Sequence, residues 1–146
     1  MDILPVYNRY FVFLVGGAKM VILFDRFNLP DDIFEIIFAT KQQKIVAKLL
    51  IKELKKNKNR MTKTEMSNFA TLLHEGNYIA EIDEAPYIGK KVRVSYNKRQ
   101  FYDRILTPMK AMGLIEYDLY KKVYKISDSF NKMMIKIGLM WLREIR

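Results

Sequence analysis

The chain has 146 residues, half of them hydrophobic and 13% aromatic, which is enough apolar side chain to build a core and too much for a disordered tail. It has no cysteine and a single histidine, His74. That composition excludes disulfide scaffolds, thiolate or paired-histidine metal sites and cysteine nucleophiles, and argues against a catalytic triad. The net charge of +10 is blocked: residues 41–60 carry +7 and residues 90–104 carry +5, while residues 61–89 between them carry −4. Two basic blocks around an acidic stretch point to a surface aimed at a polyanion.

In chain order, the run Tyr10 to Phe24 is apolar except for Gly16, Gly17 and Lys19. It is shorter than the roughly 17–25 residues of a spanning helix, and Asp2 has the wrong sign for a signal-peptide start. No membrane partner and a cytoplasmic location are therefore expected. The run fits two buried strands turning at Gly16-Gly17, or a buried helix; periodicity does not separate them. Residues 1–39 form an N-terminal apolar extension for packing or dimerisation. Pro30-Asp31-Asp32 marks a helix start, with acidic side chains suited to the free N–H groups there. A second start follows at Thr40. From it Lys41, Lys44, Lys48, Lys52 and Lys55 fall on one helical stripe and Ile45, Val46, Leu49, Leu50 and Leu54 on the rest, until Asn57 to Asn59 end the helix. Such a stripe is usually a solvated face and otherwise a polyanion contact.

Thr62-Lys63-Thr64-Glu65 fits a capping box, Met66, Phe69, Ala70 and Leu73 recur at helical spacing, and Gly76 is a stop signal. Asn77 to Val94 reads as a long loop or irregular strand. Ser95 can cap the next helix, whose apolar positions are Phe101, Ile105, Met109 and Met112, with Tyr96, Arg99, Gln100, Asp103 and Thr107 opposite. Pro108 should kink that helix or end it early, and Gly113 ends it in either case. Leu114 to Tyr117 and Val123 to Ile126 form a hairpin around Asp118 to Lys122. Ser127 and Asp128 start a last helix to about Ile145. Along it Phe130, Met134, Ile137 and Trp141 repeat at the alternation of a packing seam, with Met133 and Met140 beside them.

This order of elements resembles the winged helix-turn-helix fold, an α+β, mainly α architecture. Residues 101–115, Phe-Tyr-Asp-Arg-Ile-Leu-Thr-Pro-Met-Lys-Ala-Met-Gly-Leu-Ile, are similar to the recognition helix and first wing strand of archaeal DNA-binding regulators of the MarR and ArsR groups. Val123-Tyr124-Lys125-Ile126-Ser127 resembles the second wing strand and the cap of a dimerisation helix. The likeness covers about Thr40 to Arg146, with a DNA-binding domain at 40–127 and a dimerisation helix at 128–146. The chain departs from the pattern in the eighteen residues from Asn77 to Val94, where the family has a short turn, and in its short wing.

The resemblance implies that Tyr96, Arg99, Gln100, Asp103 and Thr107 enter a major groove, with Asn97 also among the DNA-binding residues. Their chemistry agrees, since Arg pairs with guanine, Gln with adenine, and a carboxylate accepts from cytosine. Lys98 and Arg104 would reach phosphates from the flanks, and Lys121 and Lys122 would do so from the wing tip. Phe130, Met134, Ile137 and Trp141, with the Phe11 to Phe24 region, would form a homodimer interface. The expected function is sequence-specific binding of double-stranded DNA by a homodimeric transcriptional regulator. The alternative is a winged-helix module that binds proteins in a replication or transcription complex.

No enzyme, cofactor or metal is expected. Asp31 with Glu53-Leu54-Lys55 mimics a nuclease pattern, but Glu53 lies in a helical pattern, whereas that chemistry needs carboxylates converging on an ion. Glu81, Asp83 and Glu84 read as solvated loop acids, His74 as a helix-end residue, and Met133, Met134 and Met140 as packing.

Overall fold

The computed structural model describes residues 25–146 throughout and, before them, the strand backbones Phe11–Val15 (β1) and Ala18–Ile22 (β2). The protein is α+β and divides into two compact units, residues 1–48 and 49–146. The boundary falls inside one continuous helix, Lys41–Lys56 (α2).

In the first unit β1 and β2 pair antiparallel from Phe11↔Ile22 to Val15↔Ala18, so the backbone takes the strand alternative. The expected burial of those side chains, or their place at an interface, lies outside the described residues. Asp32 caps the short helix Ile33–Ile37 (α1) by accepting the Phe34 N–H at 2.9 Å. Thr40 Oγ1 accepts the Gln43 N–H at the start of α2. The lysine stripe of α2 is not uniformly solvated: Lys44, 9% exposed, reaches Glu35 at 3.0 Å, and Lys48 reaches Asp32 at 2.6 Å. Partial burial pushes the Asp32 carboxyl up, but the Lys48 and Phe34 hydrogen bonds outweigh it and hold the group below its usual range.

In the second unit, Arg60–Thr62 (β3) leads into helix Lys63–Glu75 (α3). The capping box forms as expected: Thr62 Oγ1 accepts the Glu65 N–H, and Glu65 accepts the Thr62 N–H. Gly76 ends α3 in the left-handed region. The stretch expected as a long loop or irregular strand forms a hairpin, Tyr78–Glu81 (β4) with Lys91–Val94 (β5), in register Tyr78↔Val94 to Glu81↔Lys91. Its alternating Lys91-Val92-Arg93-Val94 is a strand signal that the surrounding Pro86 and Gly89 obscure. Next come Lys98–Gln100 (α4), a π-helical stretch Phe101–Leu106 and Thr107–Ala111 (α5), which run on as one helix over 98–111.

Pro108 neither ends nor interrupts this helix. The Thr107 N–H donates to the Tyr102 carbonyl five residues back, so the turn widens just ahead of the proline. The α-helical ladder resumes beyond Pro108, the Met112 N–H donating to the Pro108 carbonyl at 2.9 Å. Strands Ile115–Asp118 (β6) and Val123–Ile126 (β7) follow, and β3 adds to β7 to give an antiparallel sheet in the order β3-β7-β6. Helix Ser129–Glu144 (α6) starts where Ser127 Oγ accepts the Ser129 N–H and the Gly113 carbonyl accepts the Phe130 N–H.

The core of this unit is apolar and closely packed. Leu50, Leu54, Met66, Leu73, Phe101, Ile105 and Ile115 are fully buried, and the Phe69 ring meets those of Tyr78 and Phe101 edge-on at 5.1 and 5.5 Å. No helix among the described residues is long and apolar enough to cross a membrane.

Candidate nucleic-acid interface

Burial of Phe101, Ile105, Leu106 and Met109 fixes which side of the 98–111 helix faces the core. The opposite side follows from that choice, and it leaves Arg99, Gln100, Asp103, Arg104 and Thr107 all exposed. Arg99 Nε lies 3.6 Å from Asp103 Oδ2, with the side chains 90% and 65% exposed. Such an open pair contributes little to stability, so both groups stay free to exchange partners. Asn97 caps the helix by accepting the Gln100 N–H at 3.1 Å, and that bond occupies the Asn97 oxygen.

The β6–β7 turn carries the second set of exposed cations, Lys121 and Lys122. Asp118 Oδ1 accepts the N–H groups of Tyr120 and Lys121 at 2.9 and 3.0 Å, and Lys122 takes φ +53°. These bonds, the Lys121 N–H first, hold the Asp118 carboxyl below its usual range. The Lys122 carbonyl accepts the Lys63 N–H and ties the turn to the start of α3. Lys110 Nζ stands 5.9 and 5.8 Å from the rings of Tyr117 and Tyr124, which are themselves 4.5 Å apart, and so links the end of the 98–111 helix to the hairpin.

Two of the expected positions correct the sequence reading. Tyr96 is 5% exposed and its N–H donates to the Leu73 carbonyl, so its ring belongs to the core and cannot enter a groove. Lys98 points along α3: its Nζ donates to Thr71 Oγ1 at 2.9 Å and Ser67 Oγ at 3.3 Å. Of the expected interface residues, Phe130 is half-buried beside Gly113, and Met134, Ile137 and Trp141 are 43%, 54% and 66% exposed. The sequence reading missed His74 as a helix-joining residue. Its Nδ1 accepts the Lys98 N–H at 3.1 Å, one of the free donors at the helix start, and a lone histidine carries no sequence signal for such a tertiary contact.

Glu53 lies on α2 and is engaged by neighbouring side chains. Its carboxylate accepts the Tyr78 hydroxyl at 2.7 Å and lies 3.5 Å from Lys56, on the wall of a cleft of about 300 Å³ that Lys52, Ile79 and Lys91 also line. Burial first, and the Glu53 carboxylate second, raise the Tyr78 phenol far above its ordinary pKa. Among the described residues no three acidic or histidine side chains group as metal ligands. Compared with protein families, curated proteins and solved structures, the chain matches none.

Proposed function

We propose that the protein binds double-stranded DNA as a winged helix, with the 98–111 helix in the major groove and the β6–β7 hairpin as its wing. The observation that carries this reading is the helix itself. One side is locked into the core, and the other presents an Arg, a Gln, an Asp and a Thr, the side-chain types that read base edges, with Arg104 beside them for phosphate. The blocked charge supports it: the +5 segment, residues 90–104, contains Arg99, Gln100, Asp103 and Arg104 of this exposed side, and Lys121 and Lys122 lie at the wing.

A second copy supplies the matching half-site. Helix α6 has no buried residue, and its Met134, Ile137 and Trp141 form an exposed apolar seam. Two reading helices held about 34 Å apart meet successive major grooves, and the doubled contacts supply the selectivity a transcriptional regulator needs. Binding to random duplex DNA at two salt concentrations, followed by sequence selection, tests the reading. Affinity that falls steeply with salt and a selected palindrome are expected. Absence of duplex binding at low salt with retained α6-dependent protein association favours the protein-interaction module instead.

A further inference from the structure

We propose that the wing tip is a base-stacking wedge: Tyr120, backed by Leu119, enters duplex DNA between neighbouring base pairs and kinks it. This rests on the duplex-binding reading above and adds a deformation step to it.

The first observation is exposure. Tyr120 is 99% exposed and Leu119 77%, although the other two tyrosines of the same hairpin, Tyr117 and Tyr124, pack on each other and on Lys110. Among the described residues no ring or ion contact engages Tyr120, so it adds little to the fold that carries it. The second is rigidity. The two N–H bonds to Asp118, the left-handed Lys122 and the Lys63 tether restrain the backbone of the turn, so inserting the ring orders a side chain and little main chain. The third is charge. Lys121 and Lys122 follow the ring directly and meet phosphates as it approaches the bases.

Size favours a base over a protein partner. Two apolar side chains at a turn bounded by charge are far smaller than the patch of several hundred Å² that a protein interface needs, but they match one base step. Pyrimidine–purine steps unstack most easily and are the expected point of entry.

The test uses the full chain with duplexes of about 30 bp, room for two half-sites, containing TA steps. 2-Aminopurine replaces the adenine of one step, and dyes at the two ends report bending. The wild type and Tyr120→Phe should raise the 2-aminopurine emission and shorten the end-to-end distance. Tyr120→Ala should bind about tenfold more weakly and do neither. Lys121→Ala with Lys122→Ala should weaken binding yet still raise the emission at saturation. Equal melting curves for Tyr120→Ala and wild type are expected, since Tyr120 is 99% exposed. If Tyr120→Ala binds, brightens and bends the duplex like wild type, the wedge is wrong and the duplex reading stands. If the matching single strand binds more tightly than the duplex and alone shows the Tyr120→Ala loss, the ring serves unpaired bases and the wedge is again wrong. If no duplex binds at about 50 mM salt, both readings fall together.

Discussion

At Gly113 the backbone takes φ +81°, and a Cβ there would stand 2.9 Å from the Phe130 nitrogen and 3.0 Å from Ser129 Cβ. Gly113→Ala therefore meets both left-handed strain and a backbone that cannot yield without moving α6, and should lose about 2 kcal/mol or more in urea unfolding. Gly76→Ala is the control. It has a similar φ of +71°, but its nearest neighbour, Ser95 Oγ, is 3.6 Å away, so about 1 kcal/mol of strain alone is expected. Glu116 makes a pH prediction. The hydroxyls of Ser127 and Ser129 each donate to it at 2.6 Å and hold its carboxyl below the usual range, with Lys125 adding to the effect. The folded state thus binds this proton less readily than the unfolded chain. The stability Glu116 contributes is complete above the ordinary carboxylate pKa and is lost as pH falls through the lowered value. Below about pH 4 the melting temperature of Glu116→Gln should fall less steeply than that of wild type. At the interface, Arg99→Ala should relax preference at one base position by about 1–3 kcal/mol, whereas Lys121→Ala should weaken all sequences alike and reduce the salt slope by about one. Equal, sequence-independent losses for both would remove the 98–111 helix from the groove.

Among the elements, the 98–111 helix was legible in its apolar spacing and obscure in its start and its proline. Asn97 rather than Ser95 supplies the cap, and the π-helical turn before Pro108 arises from backbone geometry that no residue pattern announces. Lys98 shows how the partner element changes a side chain's role. Read on the sequence it flanks a groove, but in the fold it joins this helix to α3 through Ser67 and Thr71. Lys98→Met keeps the aliphatic stem and should cost about 1–2 kcal/mol of stability. It should also leave the salt slope of duplex binding unchanged, an outcome a phosphate contact would not give. Lys44 and Lys48 make the same point, because the acids they pair with lie on α1 or at its cap, not on their own helix.

For the molecule as a whole, the predictions are salt dependence and assembly. Contacts to about 6–10 phosphates would lower duplex affinity by roughly 10³–10⁵ between 50 and 200 mM salt, and a flat response would argue for a protein partner. In sedimentation equilibrium at micromolar concentration, the 17.4 kDa chain should run as a dimer, and Ile137→Ala with Trp141→Ala should return it to monomer. A dimer that survives both changes places the interface away from α6.

The sequence by itself determined the caps at Asp32, Thr40 and Thr62, the stop at Gly76, the buried stripes of α2, α3 and the 98–111 helix, and the β6–β7 hairpin, because each depends on neighbours within a few residues. Only the tertiary structure decided that β3 joins β7, that residues 78–94 pair as a hairpin, that Tyr96 is core, and that Tyr120 stands alone while Tyr117 and Tyr124 are packed. The physical reason is the same in each case. A three-residue strand such as Arg60–Thr62 has too few residues to show a period, and its backbone partners come from β7, far along the chain. A tyrosine's burial is likewise set by what the fold brings against its ring, which its own sequence neighbourhood does not encode.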